Sequence, residues 1–205
     1  MNIKKASIII FIILLIDQIS KVYIKTNFQL GESVNVFSWF KILFIENEGM
    51  AWGAKIPGAY GKEILTSFRL VAIVAIAYWL NSSIKEKAPQ VLVWSITLIL
   101  AGAIGNTIDS LFYGLIFDDS YGQVATLFAE DNYGTILKGK VVDMLYFPLY
   151  DSVLPSWVPF WGGDRFVFFE PVFNIADTVI SVGFGLLIVF NKKAFPKEEK
   201  KEVGN

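Results

Sequence analysis

The sequence predicts an all-α integral membrane protein with four transmembrane helices, a small extracytoplasmic β-region and an interfacial loop. The 205-residue chain is 54% hydrophobic and 16% aromatic, with a mean hydropathy of +0.52, which exceeds what the charged surface of a soluble domain allows. Four apolar segments each approach the roughly 20 residues that a helix needs to cross the hydrocarbon core. Helices are expected because lipid leaves backbone groups no other partners. The segments are residues 6–24, 63–80, 91–112 and 173–190.

The first segment, residues 6–24, follows a short basic start and resembles the apolar core of a signal peptide. Asp17, Gln18 and Lys21 occupy the place where a small-residue cleavage site is expected, so we interpret it as an uncleaved helix. Asp17 and Lys21 are one helical turn apart, which favours an intrahelical ion pair.

Lysines between the segments predict the orientation. Three groups fall on one side of a four-helix arrangement: Lys4 and Lys5, Lys85 and Lys87, and five lysines after residue 191. The positive-inside rule places that side, with both termini, in the cytoplasm. We expect one membrane-embedded domain over residues 1–191 and a charged, disordered cytoplasmic tail over residues 192–205.

Two segments are expected on the opposite side. Residues 26–62 alternate apolar and polar side chains, which is typical of short strands on the membrane surface. Residues 113–171 are long and mixed, and within them residues 121–139 resemble a flexible insertion. An aromatic cluster suited to the membrane interface follows it: Trp157, Phe160, Trp161, Phe166, Phe168 and Phe169.

The chain contains no His and no Cys, which limits the chemistry it can perform. Thiolate nucleophiles, imidazole bases and familiar zinc sites are excluded. The net charge of −1 argues against nucleic acid as a partner. Catalysis would have to come from Asp, Glu, Lys, Ser, Thr or Tyr, and we expect no metal and no cofactor.

Two carboxylates, Asp143 and Asp177, lie beside apolar runs. An ionisable residue at membrane depth is costly and indicates a functional site. Two neighbouring carboxylates could share one proton and activate a water molecule. The alternatives are an exposed loop charge for Asp143 and a helix N-terminal cap for Asp177.

Further polar residues lie next to glycines near the end of the third apolar segment, and others lie at the start of the fourth. Gly102 and Gly105 favour close helix packing near the end of the third segment. Asn106 and Asp109 share one helix face, where Asp109 is either an interfacial charge or a group that orients a neighbour. The same three-residue spacing separates Asn174 from the second carboxylate. Residues 47–53 form either an ordinary surface loop or a loop whose first amide holds a substrate backbone.

Together these segments resemble the lipoprotein signal peptidase (signal peptidase II) family of bacterial membrane aspartic peptidases. The likeness covers essentially the whole chain up to the tail. Five blocks carry it, in the family's order: Asp17-Gln18, Asn47-Glu48-Gly49-Met50-Ala51-Trp52, Gly105-Asn106-Thr107-Ile108-Asp109-Ser110, Val141-Val142-Asp143-Met144 and Phe173-Asn174-Ile175-Ala176-Asp177.

The resemblance implies that Asp143 and Asp177 are the catalytic pair of an intramembrane aspartic endopeptidase. Such an enzyme removes the signal peptide from diacylglyceryl-modified prolipoproteins, just before the lipidated Cys. The implied location is the bacterial cytoplasmic (inner) membrane, with the site near the outer leaflet, in a monomer whose partners are the prolipoprotein and membrane lipid. Residues matching supporting or substrate-contacting positions are Asn47, Gly49, Asn106, Asp109 and Asn174.

The chain departs from the family's pattern at two places. Ser110 replaces the usual Arg, for which Arg165 is a candidate substitute, and residues 115–138 are longer than the usual link. Three alternatives remain open from the residues alone: a proton-coupled carrier, a non-catalytic membrane scaffold and a Ser–Lys peptidase.

Overall fold

The computed structural model describes residues 1–48, 56–58 and 60–196 of the chain. Its helices account for all four apolar segments. The bounds are α1 Ile3–Asn27, α2 Gly61–Lys85, α3 Gln90–Ile108, a π-helix Asp109–Tyr113, α4 Gly114–Ile116, α5 Ile175–Val189 and α6 Asn191–Ala194.

Three of these helices are long and apolar enough to cross a membrane. They are α1, α2 and the continuous helix Gln90–Ile116, of 25, 25 and 27 residues. Helix α5 is apolar but has 15 residues, or about 22 Å at 1.5 Å per residue. That is less than the roughly 30 Å of a hydrocarbon core. The structure therefore confirms the helical class, with three helices long enough to cross a membrane and one shorter apolar helix among the described residues.

A four-stranded antiparallel sheet joins the helices. It contains β1 Ser33–Phe37, β2 Phe40–Asn47, β3 Val141–Tyr146 and β6 Val172–Phe173, in the order β1-β2-β3-β6. The strands β1 and β2 confirm the short strands predicted within residues 26–62. A separate hairpin, β4 Tyr150–Val153 with β5 Arg165–Phe168, carries much of the predicted aromatic cluster.

The β6 strand explains why the fourth helix begins later than its apolar pattern predicts. Phe173 pairs with Leu145 of β3, so the chain is still extended there. Helix α5 begins only after Asn174, whose side chain caps it. This pairing places the start of α5 beside β3, the strand that carries Asp143.

Helix α3 is the central helix, packed against α1, α2 and α5. Gly102 and Gly105 lie where α3 meets the start of α5. A Cβ on Gly102 would lie 2.3 Å from the Ala176 carbonyl oxygen, and one on Gly105 would lie 3.2 Å from the Ala176 Cβ. The packing interpretation of both glycines is therefore confirmed, because a larger residue at Gly102 would force the helices apart.

One sequence-based expectation about a loop is wrong. The segment expected as a flexible insertion packs into a core cluster with Phe44 and Tyr113, and within it Ala125 is buried. Antiparallel bridges also join this region to the rest of the fold, at Phe117–Leu127 and Gln29–Val124. The predicted charged tail begins with the short helix α6, whose Ala194 packs against the helical core, and residues 197–205 of that tail lie outside the described residues.

Candidate active site

Asp143 lies on β3 and is 3% exposed. Its carboxylate accepts two side-chain hydrogen bonds, one from the Asn47 amide and one from Asn174 Nδ2 at 2.7 Å. Asn47 is at the end of β2, paired in register with Val141, two residues before Asp143. Sheet pairing therefore positions the first amide, and the β3–β6 pairing positions the second.

Asp177 lies in the first turn of α5 and is half-buried. Asn174 and Asp177 form a reciprocal capping box. The Asp177 backbone N–H donates to Asn174 Oδ1 at 3.0 Å, and the Asn174 N–H donates to Asp177 Oδ2 at 3.3 Å. The cap interpretation of Asp177 is thus confirmed. Its other carboxylate oxygen accepts a 2.7 Å bond from Asn106 Nδ2, so capping leaves one oxygen for the site.

Asn174 and Asn106 connect the two carboxylates. Asn174 Nδ2 contacts both Asp143 Oδ1 and, at 3.0 Å, Asn106 Oδ1, while Asn106 Nδ2 binds Asp177. Burial, and then the negative charge of Asp177, raises the pKa of Asp143 from 3.8 to about 7, against the opposing effect of the amide hydrogen bonds from Asn174 and Asn47. The two carboxyl groups are therefore close enough to influence each other's charge.

Lys21 is the centre of a buried ionic network beneath this pair. Its Nζ lies 2.9 Å from carboxylate oxygens of both Asp17 and Asp109 and donates to Asn106 Oδ1 at 2.9 Å. The three charged side chains are fully buried. The predicted Asp17–Lys21 ion pair is confirmed, but the lysine also binds the end of α3, which its spacing on α1 did not indicate.

This network holds the backbone next to each carboxylate of the pair. Asp109 Oδ2 accepts from the Val142 N–H at 3.2 Å, immediately before Asp143. Asp17 Oδ1 accepts from the Ala176 N–H at 3.0 Å, immediately before Asp177. The ionic network can therefore fix β3 and α5 relative to each other.

The π-helix places Asp109 and Ser110 at the end of α3. A wider helical turn frequently marks a functional site, and here a later segment supports it: the Gly139 N–H donates to the Ser110 carbonyl at 2.9 Å. A Cβ on Gly139 would lie 1.9 Å from the Asp109 carbonyl oxygen, so this approach requires glycine.

Arg165, the candidate substitute for the family's Arg, forms a two-point ion pair with Asp151 in the exposed β4–β5 hairpin, so that assignment is wrong. A guanidinium does reach Ser110, because Arg69 Nη1 of α2 lies 3.4 Å from its Oγ. Gly49 lies outside the described residues.

The described residues contain no group of three or more His, Cys, Asp or Glu side chains arranged to hold a metal ion. What the arrangement offers is two linked carboxyl groups of unequal burial with amide donors beside them. Such a pair can exchange one proton between a water molecule and a polarised carbonyl group.

The fold and the site define a helical membrane protein whose small sheet presents a buried carboxyl group to a second one at a helix start. The same fold occurs in a solved structure described as a bacterial membrane enzyme, determined by the in meso method at 2.3 Å resolution. The TM-score is 0.62 at 24% identity, covering 98% of this chain and 96% of the other. A second such structure, at 1.9 Å resolution, has the same TM-score and identity, with 94% and 96% coverage.

Sequence comparison specifies the family. The family described as signal peptidase (SPase) II matches residues 9–192. The lipoprotein signal peptidase of Porphyromonas gingivalis is 47% identical over 188 residues, covering 91% of this chain and 82% of the relative. That of Amoebophilus asiaticus is 39% identical over 184 residues, covering 87% and 73%. The chain belongs to the signal peptidase II family, and the resemblance seen in its motifs is confirmed.

Proposed function

We propose that this chain is an aspartic endopeptidase that removes the signal peptide from diacylglyceryl-modified prolipoproteins before the lipidated Cys. Asp143 and Asp177 are its catalytic pair. The observation that carries the proposal is their connection through Asn174 and Asn106. Membership of the peptidase family, and relatives named lipoprotein signal peptidase, support the reaction and the substrate class.

The mechanism follows from the unequal surroundings of the two carboxyl groups. With a pKa of about 7, Asp143 can hold a proton near neutral pH. A protonated carboxyl group can polarise the scissile carbonyl, while an ionised partner takes a proton from the attacking water. The proton gained from water then passes to the leaving amine, which restores the pair. Because the negative charge of Asp177 disfavours ionisation of Asp143, a proton on Asp143 is retained beside its charged partner.

The amides act as positioning groups in this scheme. Asn47 holds the Asp143 carboxyl from the end of β2, Asn174 holds it from the cap of α5, and Asn106 holds Asp177 from α3. Asp109, through Lys21 and the Val142 N–H, fixes the strand beneath them. Preorganised donors of this kind contribute most when their geometry is fixed before the substrate binds.

In the proposed topology, α5 is a fourth span, both termini are cytoplasmic, and the site lies near the outer leaflet of the inner membrane. The lysine distribution supports this orientation. The β4–β5 hairpin then lies at the membrane interface, where exposed aromatic rings are favoured. Trp157 is 80% and Phe160 is 96% exposed, consistent with a lid that contacts lipid and substrate.

The test is cleavage of a synthetic diacylated prolipoprotein peptide by the purified, reconstituted protein. Asp143→Asn and Asp177→Asn are expected to lower kcat by at least about 10³-fold, because each removes an acid–base group. Asp131→Asn, at an exposed carboxylate, is the matched control and should retain wild-type turnover.

Thermal unfolding of the same variants separates the rival interpretations. If the carboxylates serve only as a scaffold, the two Asn variants lose stability. In that case neither the wild-type protein nor any variant cleaves the peptide. A carrier predicts ion flux in the same liposomes without cleavage. Near wild-type cleavage by either Asn variant would refute the assignment of the pair.

A further inference from the structure

Arg69 is a charged residue within a membrane-spanning helix. A guanidinium is costly at that depth unless protein groups surround it, and such residues indicate a functional site. The Arg69 side chain is half-buried, and its Nη1 lies 3.4 Å from the Oγ of the fully buried Ser110. That hydroxyl in turn donates to the Asn106 carbonyl at 3.1 Å.

Arg69 belongs to a polar face of α2 that is turned toward the site. Lys62, Thr66 and Arg69 are spaced by four and three residues and therefore share one face. Lys62 Nζ donates to the Glu48 carbonyl at 2.6 Å, and Thr66 Oγ1 donates to the Leu137 carbonyl at 3.1 Å. In contrast, Phe68 is 69% exposed, as expected for a lipid-facing side chain.

The Arg69 guanidinium also interacts with negative charges of the site. Burial disfavours the charged guanidinium of Arg69, and the negative charges of Asp177 and then Asp109 favour it. Lys21 already pairs directly with Asp109 and Asp17. The carboxyl pair itself brings up to two further negative charges into the same low-dielectric region, where an unbalanced charge is strongly destabilising.

We propose that Arg69 is a positioning residue of the peptidase site, which stabilises the singly charged form of the Asp143–Asp177 pair and holds the π-helix through Ser110. The inference rests on the peptidase function proposed above. The guanidinium acts on the carboxyl pair from α2, the helix that supplies neither of the two acids. The other charged groups of the region are Lys21, which acts on Asp143, its ion-pair partners Asp17 and Asp109, and Lys62 on α2, whose Nζ donates to the Glu48 carbonyl.

The experiment is the pH dependence of kcat for the full-length protein on the diacylated peptide. Arg69→Gln and Arg69→Met remove the positive charge, so more alkaline conditions are needed to ionise the pair. The acidic limb of the kcat profile is expected to move up by about one pH unit. We also expect kcat at neutral pH to fall about 10- to 100-fold, with KM changed less than about threefold.

Two further variants make the test specific. Arg69→Lys keeps the charge but loses the planar fork, so its acidic limb should stay within about 0.3 pH units of wild type while kcat falls in part. Lys85→Gln removes an exposed charge from the cytoplasmic-end turn of the same helix and should match wild type throughout.

The outcomes separate this inference from the peptidase proposal. If the wild-type protein does not cleave the peptide, the proposed function fails and this inference fails with it. If wild type cleaves and Asp143→Asn does not, but both neutral Arg69 variants keep the wild-type limb and kcat, the function stands and the role of Arg69 is refuted. If the neutral Arg69 variants unfold at a lower temperature but keep the wild-type acidic limb of the kcat profile, Arg69 is a structural residue. That result would also refute its proposed role at the carboxyl pair.

Discussion

Gly102→Ala is expected to damage the site without altering any group in it. The added Cβ would lie 2.3 Å from the Ala176 carbonyl oxygen, whereas real Cβ contacts stay above 3.0 Å. The two backbones must therefore separate by at least 0.7 Å. Overpacking of this kind costs about 1–3 kcal/mol of unfolding free energy. Because Ala176 immediately precedes Asp177, the same movement displaces one carboxyl group relative to the other.

The expected consequence is a kcat reduced by about 10- to 100-fold, since a displacement of about 1 Å can cost 10²-fold. The assay is cleavage of the diacylated peptide, together with thermal unfolding in detergent. Gly185→Ala is the control on α5 itself, because its Cβ would meet no described atom within 4 Å. Equal losses in the two variants, or wild-type kcat and stability for Gly102→Ala, would refute the reasoning.

Three further predictions concern charge. The raised pKa of Asp143 means that the folded protein binds more protons than the unfolded chain between pH 3.8 and about 7. The stabilising contribution of the protonated Asp143, at most about 4 kcal/mol, is therefore lost as pH rises through that window. The variant Asp143→Asn should flatten the pH dependence of the unfolding free energy. Identical slopes of unfolding free energy against pH in the variant and the wild type would contradict this. Lys21→Met leaves two buried carboxylates unpaired and should cost about 3–5 kcal/mol in unfolding titrations, so a loss below about 1 kcal/mol would contradict the network. Lys25→Met breaks a buried pair with Glu46 and should speed amide exchange in residues 117–139, whereas unchanged exchange would show that this segment is held independently.

The helices and the membrane class could be predicted because lipid imposes a simple physical requirement. A long apolar run has to be helical there, and all four predicted segments contain helices. Their ends were less predictable. Phe173 is apolar enough to extend the fourth helix, but pairing with Leu145 keeps it in a strand. That competition involves a partner 28 positions away and leaves no local signal.

The candidate site was predictable where motifs preserve local spacing. Asn106 and Asn174, which lie in two of the five blocks, each contact one carboxylate of the pair. The meeting of Lys21 with Asp109 was not predictable, because the nearer Asp17 already explained the lysine. Arg69 belongs to none of the five blocks, so its approach to Ser110 was missed although a lone arginine in an apolar run is itself a signal.

The π-helix also had no signal in its own sequence. Its wider turn depends on the chain that returns at residues 137–139, where the Leu137 and Gly139 N–H groups bind carbonyls of the turn. The assignment of Arg165 was wrong because its partner could not be seen in the sequence. A lone arginine suggested a role, but the pairing of β4 with β5 places it beside Asp151.

Asn174 performs two tasks with one side chain, and this has a practical consequence. Its Oδ1 accepts from the Asp177 N–H in the first turn of α5, and its Nδ2 donates to Asp143 and to Asn106, which in turn binds Asp177. Fraying of that turn would therefore separate the acids at the same moment. A molecule lodged between them should slow deuterium uptake at the Asp177 amide, which gives a readout of occupancy that requires no turnover.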